Sequence, residues 1–120
     1  MGMSVTLAQS EGLPVLSVAG ELDWLACEEF EDRILEAAHG CDGCVVVDLS
    51  DVTYIESSPL GVLIKLHIVL AREGGDLAVV CRGAHVTRMV KELGIGHILP
   101  IFVDQATAVA SLLPLIAESH

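Results

Sequence analysis

The segment Val45–Arg72, VVVDLSDVTYIESSPLGVLIKLHIVLAR, determines the fold and carries the candidate site. It begins with a short β-branched apolar run, passes through the polar joint Glu56–Pro59, and continues into a long apolar segment with helical spacing. This order predicts a buried strand, a connection and a helix. A serine followed by a proline is a helix-start signal, so we expect Ser58 to cap the helix and Pro59 to occupy its first position. Ser57 is then free for another role.

Length and composition indicate one soluble domain. The chain has 120 residues, of which 52% are hydrophobic and 3% aromatic, so we expect a single domain over residues 1–120 with an aliphatic core. No secretion signal is evident at the N-terminus. The longest apolar run, Leu60–Ala71, is interrupted by Lys65 and His67 and is too short for the roughly 20 residues of a membrane span. We therefore expect a cytoplasmic protein without direct membrane insertion.

The charge balance argues against nucleic acid as a partner. Six basic and seventeen acidic side chains give a net charge of −11, which repels a phosphate backbone. The acidity clusters between Glu28 and Glu36. This cluster is interpreted either as a solvated helix face or as a docking patch for a basic partner.

Periodicity and turn residues predict five strands and four helices in the order ββαβαβαβα. Alternating strands and helices favour an α/β fold with a mixed, mostly parallel sheet covered by about four helices. Asp104 is expected to cap the last helix, and Pro114 to kink it or end it early. The predicted strands are Val5–Leu7, Leu13–Gly20, Cys44–Leu49, Leu77–Val80 and Ile98–Phe102; the predicted helices span about 25–39, 58–73, 84–93 and 105–116.

This topology places two polar segments at one edge of the sheet. In a βαβ unit the carboxyl ends of both strands lie on the same edge, where open α/β sheets favour binding sites. Asp23 and Ser57 each follow shortly after one of these strands. We therefore expect Asp23 and Ser57 to be neighbours.

Two motifs resemble a known family. Gly20–Asp23 reads GELD, and Val47–Gly61 reads VDLSDVTYIESSPLG. Together they resemble the signatures of the STAS domain in bacterial anti-sigma factor antagonists, and the resemblance runs nearly from end to end. It implies a STAS-type fold and a role in transcription regulation through protein–protein interaction.

The resemblance also implies a switch and a partner. In that family the first serine after the acidic residue, here Ser57, is phosphorylated by a partner that is both anti-sigma factor and serine kinase. The unphosphorylated form binds this partner and releases the sigma factor. Gly20 is expected to permit the turn that carries Asp23, and Asp23 and Glu56 to shape the surroundings of Ser57.

Two residues depart from the family pattern. Glu56 stands where the family usually has Asp, and Pro59 where it usually has Gly. Pro59 also removes one backbone N–H from the helix start, where a phosphate finds donors. The alternative is a non-phosphorylated STAS scaffold, or an accessory subunit of a transport or ligand-binding system.

Other candidate groups favour no catalytic, metal or cofactor site. Cys41 and Cys44 form a C-x-x-C in a helix-to-strand loop, without a helix N-terminus to activate a thiol and without a fourth zinc ligand nearby. His67 falls on the face of its helix that covers the sheet, which predicts a partly buried, hydrogen-bonded histidine. Since no base lies near Ser57 in the sequence, we expect no enzyme.

A helical wheel of the predicted helix 58–73 places four residues on the side opposite His67: Val62, Lys65, Val69 and Arg72. This set is interpreted either as incidental exposure or as a stripe that contacts a protein partner.

Overall fold

The structure, a computed structural model, describes the backbone of residues 2–119 and the side chains of residues 2–116. The order of its elements confirms the predicted ββαβαβαβα arrangement. None of the helices in this described part is long and apolar enough to cross a membrane. The strands are β1 Met3–Ser10, β2 Leu13–Leu22, β3 Cys44–Ile55, β4 Asp76–Val80 and β5 Ile101–Phe102, and the helices are α1 Cys27–His39, α2 Ser57–Arg72, α3 Ala84–Glu92 and α4 Gln105–Ser119.

The five strands form one sheet in the order β1-β2-β3-β4-β5. β1 and β2 pair antiparallel as a hairpin, and every other neighbouring pair is parallel. Each parallel pair is joined by a helix, which is the usual crossover connection between parallel strands. The predicted mixed, mostly parallel sheet is confirmed.

The helices cover both faces of the sheet. Successive side chains of β3 point to opposite faces, so Val45 and Val47 join one core cluster and Cys44 and Val46 the other. The first cluster includes apolar residues of α1, α2 and α3, and the second includes those of α4. The sheet is therefore buried between three helices on one side and one helix on the other.

Two strand lengths differ from the prediction. β3 does not end at Leu49 but continues to Ile55, because its polar second half pairs with the end of β2 through two register shifts. β5 contains only Ile101–Phe102, since the chain before it forms a short 3-10 helix, Ile95–His97, that draws Ile98 into a turn. A second 3-10 helix, Trp24–Ala26, precedes α1, which begins at Cys27 rather than near Leu25.

The last helix follows the expected start but not the expected end. The Asp104 carboxylate accepts a hydrogen bond from the Thr107 N–H at 2.7 Å, which confirms it as the cap. Pro114 lies inside α4, and the helix continues beyond it to Ser119. Of the two effects predicted for Pro114, early termination of the helix is therefore wrong, and a kink stays a prediction.

Gly75 provides a stability prediction because it lies against another backbone segment. A Cβ atom at Gly75 would stand 2.2 Å from the carbonyl oxygen of Gly43. Because that oxygen belongs to the backbone, no side-chain rotation can relieve this clash. We expect Gly75→Ala to lower the free energy of unfolding by about 2 kcal/mol or more, because the two loops must separate. Urea denaturation measures this.

Gly96→Ala is the matched control for this prediction. A Cβ atom at Gly96 has no heavy atom within 4 Å outside its immediate neighbours, and its φ angle is ordinary. This variant should stay within about 0.5 kcal/mol of the parent chain. Equal unfolding midpoints for the two variants would contradict the tight approach at Gly75.

Candidate functional site

The candidate site lies at the carboxyl edge of the sheet, where β2 and β3 end side by side. Leu22 pairs with Ile55, and the Glu56 N–H donates a hydrogen bond to the Leu22 carbonyl at 2.9 Å. The segment that follows β2 begins with Asp23, and the segment that follows β3 begins with Glu56 and Ser57. The parallel pairing therefore brings the two family motifs together.

Ser57 is the first residue of α2 and is exposed to solvent. The extended residue before the helix is Glu56, whose side chain does not cap the helix. The first backbone N–H groups of any α-helix lack an intrahelical acceptor, so this end of α2 presents the N–H groups of Ser57 and Ser58. The hydroxyl of Ser57 is accessible at a helix terminus that favours negative charge.

The predicted cap at Ser58 is wrong. Ser58 and Pro59 are the second and third residues of α2, Ser58 exposed and Pro59 buried. The helix begins earlier because β3 extends to Ile55 and leaves Glu56 as the extended residue that precedes it. Pro59 costs no intrahelical hydrogen bond, since the N–H groups of the first turn have no partner in the helix.

Glu56 connects three elements at this edge. One carboxylate oxygen accepts a hydrogen bond from the backbone N–H of Trp24 at 2.8 Å, and the other accepts one from the Tyr54 hydroxyl at 3.0 Å. The carboxylate is thus directed toward the Trp24–Ala26 3-10 helix. The glutamate that departs from the family pattern serves here as a bridge between β3 and the segment after β2.

Asp23 holds the same 3-10 helix from its other side. Its carboxylate accepts a hydrogen bond from the Ala26 N–H at 3.1 Å, which makes Asp23 the N-cap of Trp24–Ala26. Asp23 and Glu56 together fix the backbone of a three-residue segment beside the start of α2.

Gly20 lies within β2 and not in a turn. Its φ angle is +94°, and a Cβ atom there would stand 2.4 Å from the Gly2 carbonyl oxygen. A register shift between β2 and β3 occurs next to it, between Gly20 and Glu21. The predicted turn is therefore a bulge, which needs glycine for the left-handed backbone and re-aims the strand toward Asp23.

Tyr54 is a component of the site that sequence reasoning missed. Its ring stacks on His85 of α3 with 5.5 Å between ring centroids, while its hydroxyl binds Glu56. The hydrogen bond to Glu56 and the charge of that carboxylate raise the pKa of the Tyr54 phenol above its ordinary value. The sequence feature that could have indicated this contact is the position of the tyrosine two residues before Glu56.

A spectroscopic prediction follows from this arrangement, because Tyr54 is the sole tyrosine of the chain. When the folded chain is titrated with base, the ultraviolet absorbance of tyrosinate should rise with a midpoint above the ordinary tyrosine pKa of about 10. Because Glu56 disfavours the phenolate, Glu56→Gln should move the midpoint down toward 10. Identical midpoints for the parent and Glu56→Gln would contradict the bridge, and the urea-unfolded chain supplies the reference.

The raised pKa of Tyr54 also determines how the folding stability depends on pH. Since the folded state raises the pKa of Tyr54, the stabilisation is fully present below the unfolded pKa of about 10 and is lost as the pH rises through the folded pKa. Loss of stability in this alkaline window should therefore be weaker in Glu56→Gln.

The outward face of α2 differs from the predicted stripe. Val62 is half-buried and packs against the core, and Lys65 forms an ion pair with Glu31 of α1 at 2.9 Å. Val69 and Arg72 are exposed as expected, but the most exposed large apolar side chain on α2 is Ile68, at 43%. The helical wheel could not predict this difference, because α1 packs beside α2 on the side of Val62.

Ile68 also aligns with Ser57 along α2. Eleven residues at about 100° per residue place Ile68 about 20° around the axis from Ser57 and about 16 Å along it. Gly61 is exposed at a similar angle between them. The exposed face of α2 that begins at Ser57 therefore leads to Ile68.

His67 confirms the expected partly buried, hydrogen-bonded histidine. Its Nδ1 atom lies 2.5 Å from a carboxylate oxygen of Asp76 at the start of β4, and the same oxygen accepts the Leu77 N–H. The side chain fixes α2 to the sheet. Neither of these hydrogen bonds involves Ser57 or the residues next to it.

The four cysteines are free thiols in the structure. The Cys41 thiol donates a hydrogen bond to the Gly12 carbonyl at 3.2 Å. Burial raises the pKa of Cys41, Cys44 and Cys81, the last to about 11, so these thiols are protonated at neutral pH. Within residues 2–116, no group of three or more His, Cys, Asp or Glu side chains could hold a metal ion.

The structure combines a mixed five-stranded sheet, four helices and an exposed serine at the start of α2. Comparison with known proteins identifies the family of this fold. The family described as "Mlab, STAS domain" matches residues 5–101. The chain therefore belongs to the STAS domain family, which confirms the resemblance of its two motifs.

Individual relatives extend this comparison. The anti-sigma F factor antagonist of Paenibacillus polymyxa is 25% identical, over 93% of this chain and 97% of that protein. The crystal structure of an anti-sigma factor antagonist from Mycobacterium paratuberculosis has a TM-score of 0.82 at 24% identity and covers 92% of this chain and 94% of that one. The Bacillus cell fate determinant SpoIIAA in its phosphorylated form has a TM-score of 0.64 at 17% identity and covers 90% and 98%.

Proposed function

We propose that this chain is an anti-sigma factor antagonist whose binding is switched off by phosphorylation at Ser57. In the unphosphorylated state it binds a cytoplasmic anti-sigma factor that is also a serine kinase, and the sigma factor is released. The relatives with matching length are named as antagonists of anti-sigma factors, and one protein with this fold is known in a phosphorylated form.

The observation that carries the proposal is the position of Ser57. It is exposed, it begins α2, and it occupies the position that the family motif assigns to the phosphorylated serine. Kinase access requires an accessible hydroxyl, and the N-terminus of a helix stabilises a phosphate through its free N–H groups and its dipole. Ser57 meets both conditions.

Asp23 and Glu56 support the site in defined ways. Each carboxylate already accepts a backbone hydrogen bond from the Trp24–Ala26 segment, so each is fixed next to the helix start. We assign them the role of shaping the surface around Ser57, and Gly20 the role of directing β2 toward Asp23. Ser58 contributes an exposed hydroxyl beside Ser57 rather than a cap.

The experiment is phosphorylation by the anti-sigma factor kinase that binds the purified chain. Incubation with that kinase and Mg-ATP, followed by peptide mass spectrometry, should place one phosphate on Ser57. Ser57→Ala should abolish incorporation, while Ser58→Ala, which removes the adjacent hydroxyl, should leave it intact. Modification of Ser58 alone would contradict the assignment.

Pro59 favours a second candidate function, a non-phosphorylated scaffold or an accessory subunit of a transport or ligand-binding system. As the third residue of α2 it supplies no N–H, so a phosphate on Ser57 finds one donor fewer at this terminus. In that case the active kinase would bind the chain without phosphorylating it, or a transporter subunit rather than an anti-sigma factor would be recovered with it.

A further inference from the structure

Two large apolar side chains protrude beside the site. Trp24 is 67% exposed and Leu25 is 71% exposed. Aromatic residues are scarce in this chain, and Trp24 is its single tryptophan. Tryptophan is enriched among the residues that contribute most to protein–protein binding, and the neighbouring leucine adds apolar area that a partner can bury. Neither belongs to the family motifs at Gly20–Asp23 and Val47–Gly61.

The backbone beneath these side chains is held rigidly. Glu56 accepts the Trp24 N–H at 2.8 Å, and Asp23 accepts the Ala26 N–H at 3.1 Å. Glu56 is itself bonded to Tyr54, which stacks on His85. The exposed pair is therefore presented in a fixed position, which lowers the entropy lost when a partner binds.

The surface next to Leu25 is acidic. A shallow open cleft is lined by Leu25, Glu28, Glu29, Asp32 and Arg33, and only Arg33 is basic; it lies 4.0 Å from Glu29. Glu28 and Asp32 stand one helical turn apart and are exposed. An aliphatic base with carboxylates around it suits the long side chain of Lys or Arg, whose stem packs on Leu25 while its head reaches the carboxylates.

We propose that Trp24, Leu25 and the acidic face formed by Glu28 and Asp32 constitute a docking surface for a basic, amphipathic segment of a protein partner. Charge complementarity selects this occupant, since the net charge of −11 repels an acidic segment and an anionic membrane. The face of Trp24 is also a favourable site for an Arg or Lys cation. This surface lies outside the exposed face of α2 and does not depend on the phosphorylation of Ser57.

The experiment uses Trp24 as its own reporter. Because no other tryptophan is present, the fluorescence reports on the residue next to Leu25, which lines the cleft. The probes are a Leu/Lys amphipathic helical peptide and a Leu/Glu peptide of the same length and pattern. We expect the Leu/Lys peptide to shift the Trp24 emission to shorter wavelength in a saturable manner, and the Leu/Glu peptide to leave it unchanged.

Variants separate local recognition from net charge. Glu28→Gln/Asp32→Asn should weaken binding of the Leu/Lys peptide about fivefold. Glu73→Gln/Glu92→Gln removes the same charge from two exposed residues that do not line the cleft, so its affinity should stay within about twofold of the parent. Leu25→Ser should weaken binding about tenfold, with circular dichroism confirming the fold.

Three results would overturn the proposal: no saturable shift with the Leu/Lys peptide, an equal shift with the Leu/Glu peptide, or equal weakening by the two double substitutions. None of these measurements uses the anti-sigma factor or Ser57. Failure of the phosphorylation switch therefore leaves this result unaffected, and failure of the docking surface leaves the switch unaffected.

Discussion

Phosphorylation of Ser57 is expected to weaken the binding of the anti-sigma factor at least tenfold. A phosphate adds about −1.5 to −2 charge at the exposed start of α2. Glu56 is the adjacent residue, and Asp23 is fixed across the strand edge, so the new charge is placed among like charges. When the partner covers this edge, the phosphate must also lose water.

The electrostatic magnitude is sufficient for this effect. At a spacing of about 6 Å and an effective dielectric of about 20, two like unit charges repel by about 3 kcal/mol. Water weakens this repulsion in the free chain, and a partner that covers the edge displaces that water, so the repulsion and the desolvation of the phosphate both oppose binding. Solvent exposure of Ser57 reduces that figure, but about 1.4 kcal/mol already corresponds to a tenfold change in affinity. The phosphate is compatible with α2 itself, because it lies at the positive end of the helix dipole. The effect should therefore fall on binding and not on folding.

Isothermal titration calorimetry with the unphosphorylated and phosphorylated chain measures this difference, and circular dichroism checks the fold. Ser57→Glu adds a single charge and should give a smaller loss in the same direction. Gln9→Glu is the control, since Gln9 is exposed on β1 and pairs with Pro14, at the opposite end of β2 from Asp23. Unchanged affinity after phosphorylation of Ser57 would exclude the switch.

The order of the elements was predictable from local sequence. Apolar β-branched runs such as Val45–Val47 separate clearly from the helical spacing of Leu60–Leu70, and glycines mark the connections. The alternation of the two patterns then leaves few topologies for a short chain. The polar joint between these two segments placed Ser57 at a strand-to-helix junction on the same grounds, and the family resemblance implied its role.

The fine structure of the site was not predictable, because it depends on contacts distant in sequence. Glu56 and Trp24 are separated by 32 residues, so the sequence around either residue does not indicate that the two form a hydrogen bond. The capping prediction at Ser58 failed for the same reason: the start of α2 is set by how far β3 pairs with β2. Local cap signals do not report where the pairing of a strand ends.

The predicted contact stripe shows the same dependence on neighbouring elements. A helical wheel treats α2 as isolated and places Val62 and Lys65 toward solvent. In the structure the core takes up Val62, and Glu31 of α1 pairs with Lys65. That Ile68 is the most exposed large apolar side chain of α2 follows only when the packing of α1 against α2 is known.

This packing leads to the second large expected effect, on the exposed face of α2. If the anti-sigma factor covers the face that begins at Ser57, its contact reaches Ile68 about three turns further along the helix. Ile68→Asp then buries an unpaired carboxylate in the complex, which costs about 3 kcal/mol or more. The affinity for the anti-sigma factor should fall at least tenfold. Val69→Asp, on the flank of this face, should weaken binding in the same direction but less.

Ile98→Asp is the matched control for this effect. Ile98 is 48% exposed, close to the 43% of Ile68, and it lies after the Ile95–His97 3-10 helix rather than on α2. Both variants lose the same side chain at similar exposure, so their folding stabilities should change by similar small amounts. Calorimetric affinity distinguishes them, because only Ile68→Asp places its charge in the proposed contact. Equal affinities for the two variants would show that the partner does not extend along α2, and would confine the contact to the edge formed by Asp23, Glu56 and Ser57.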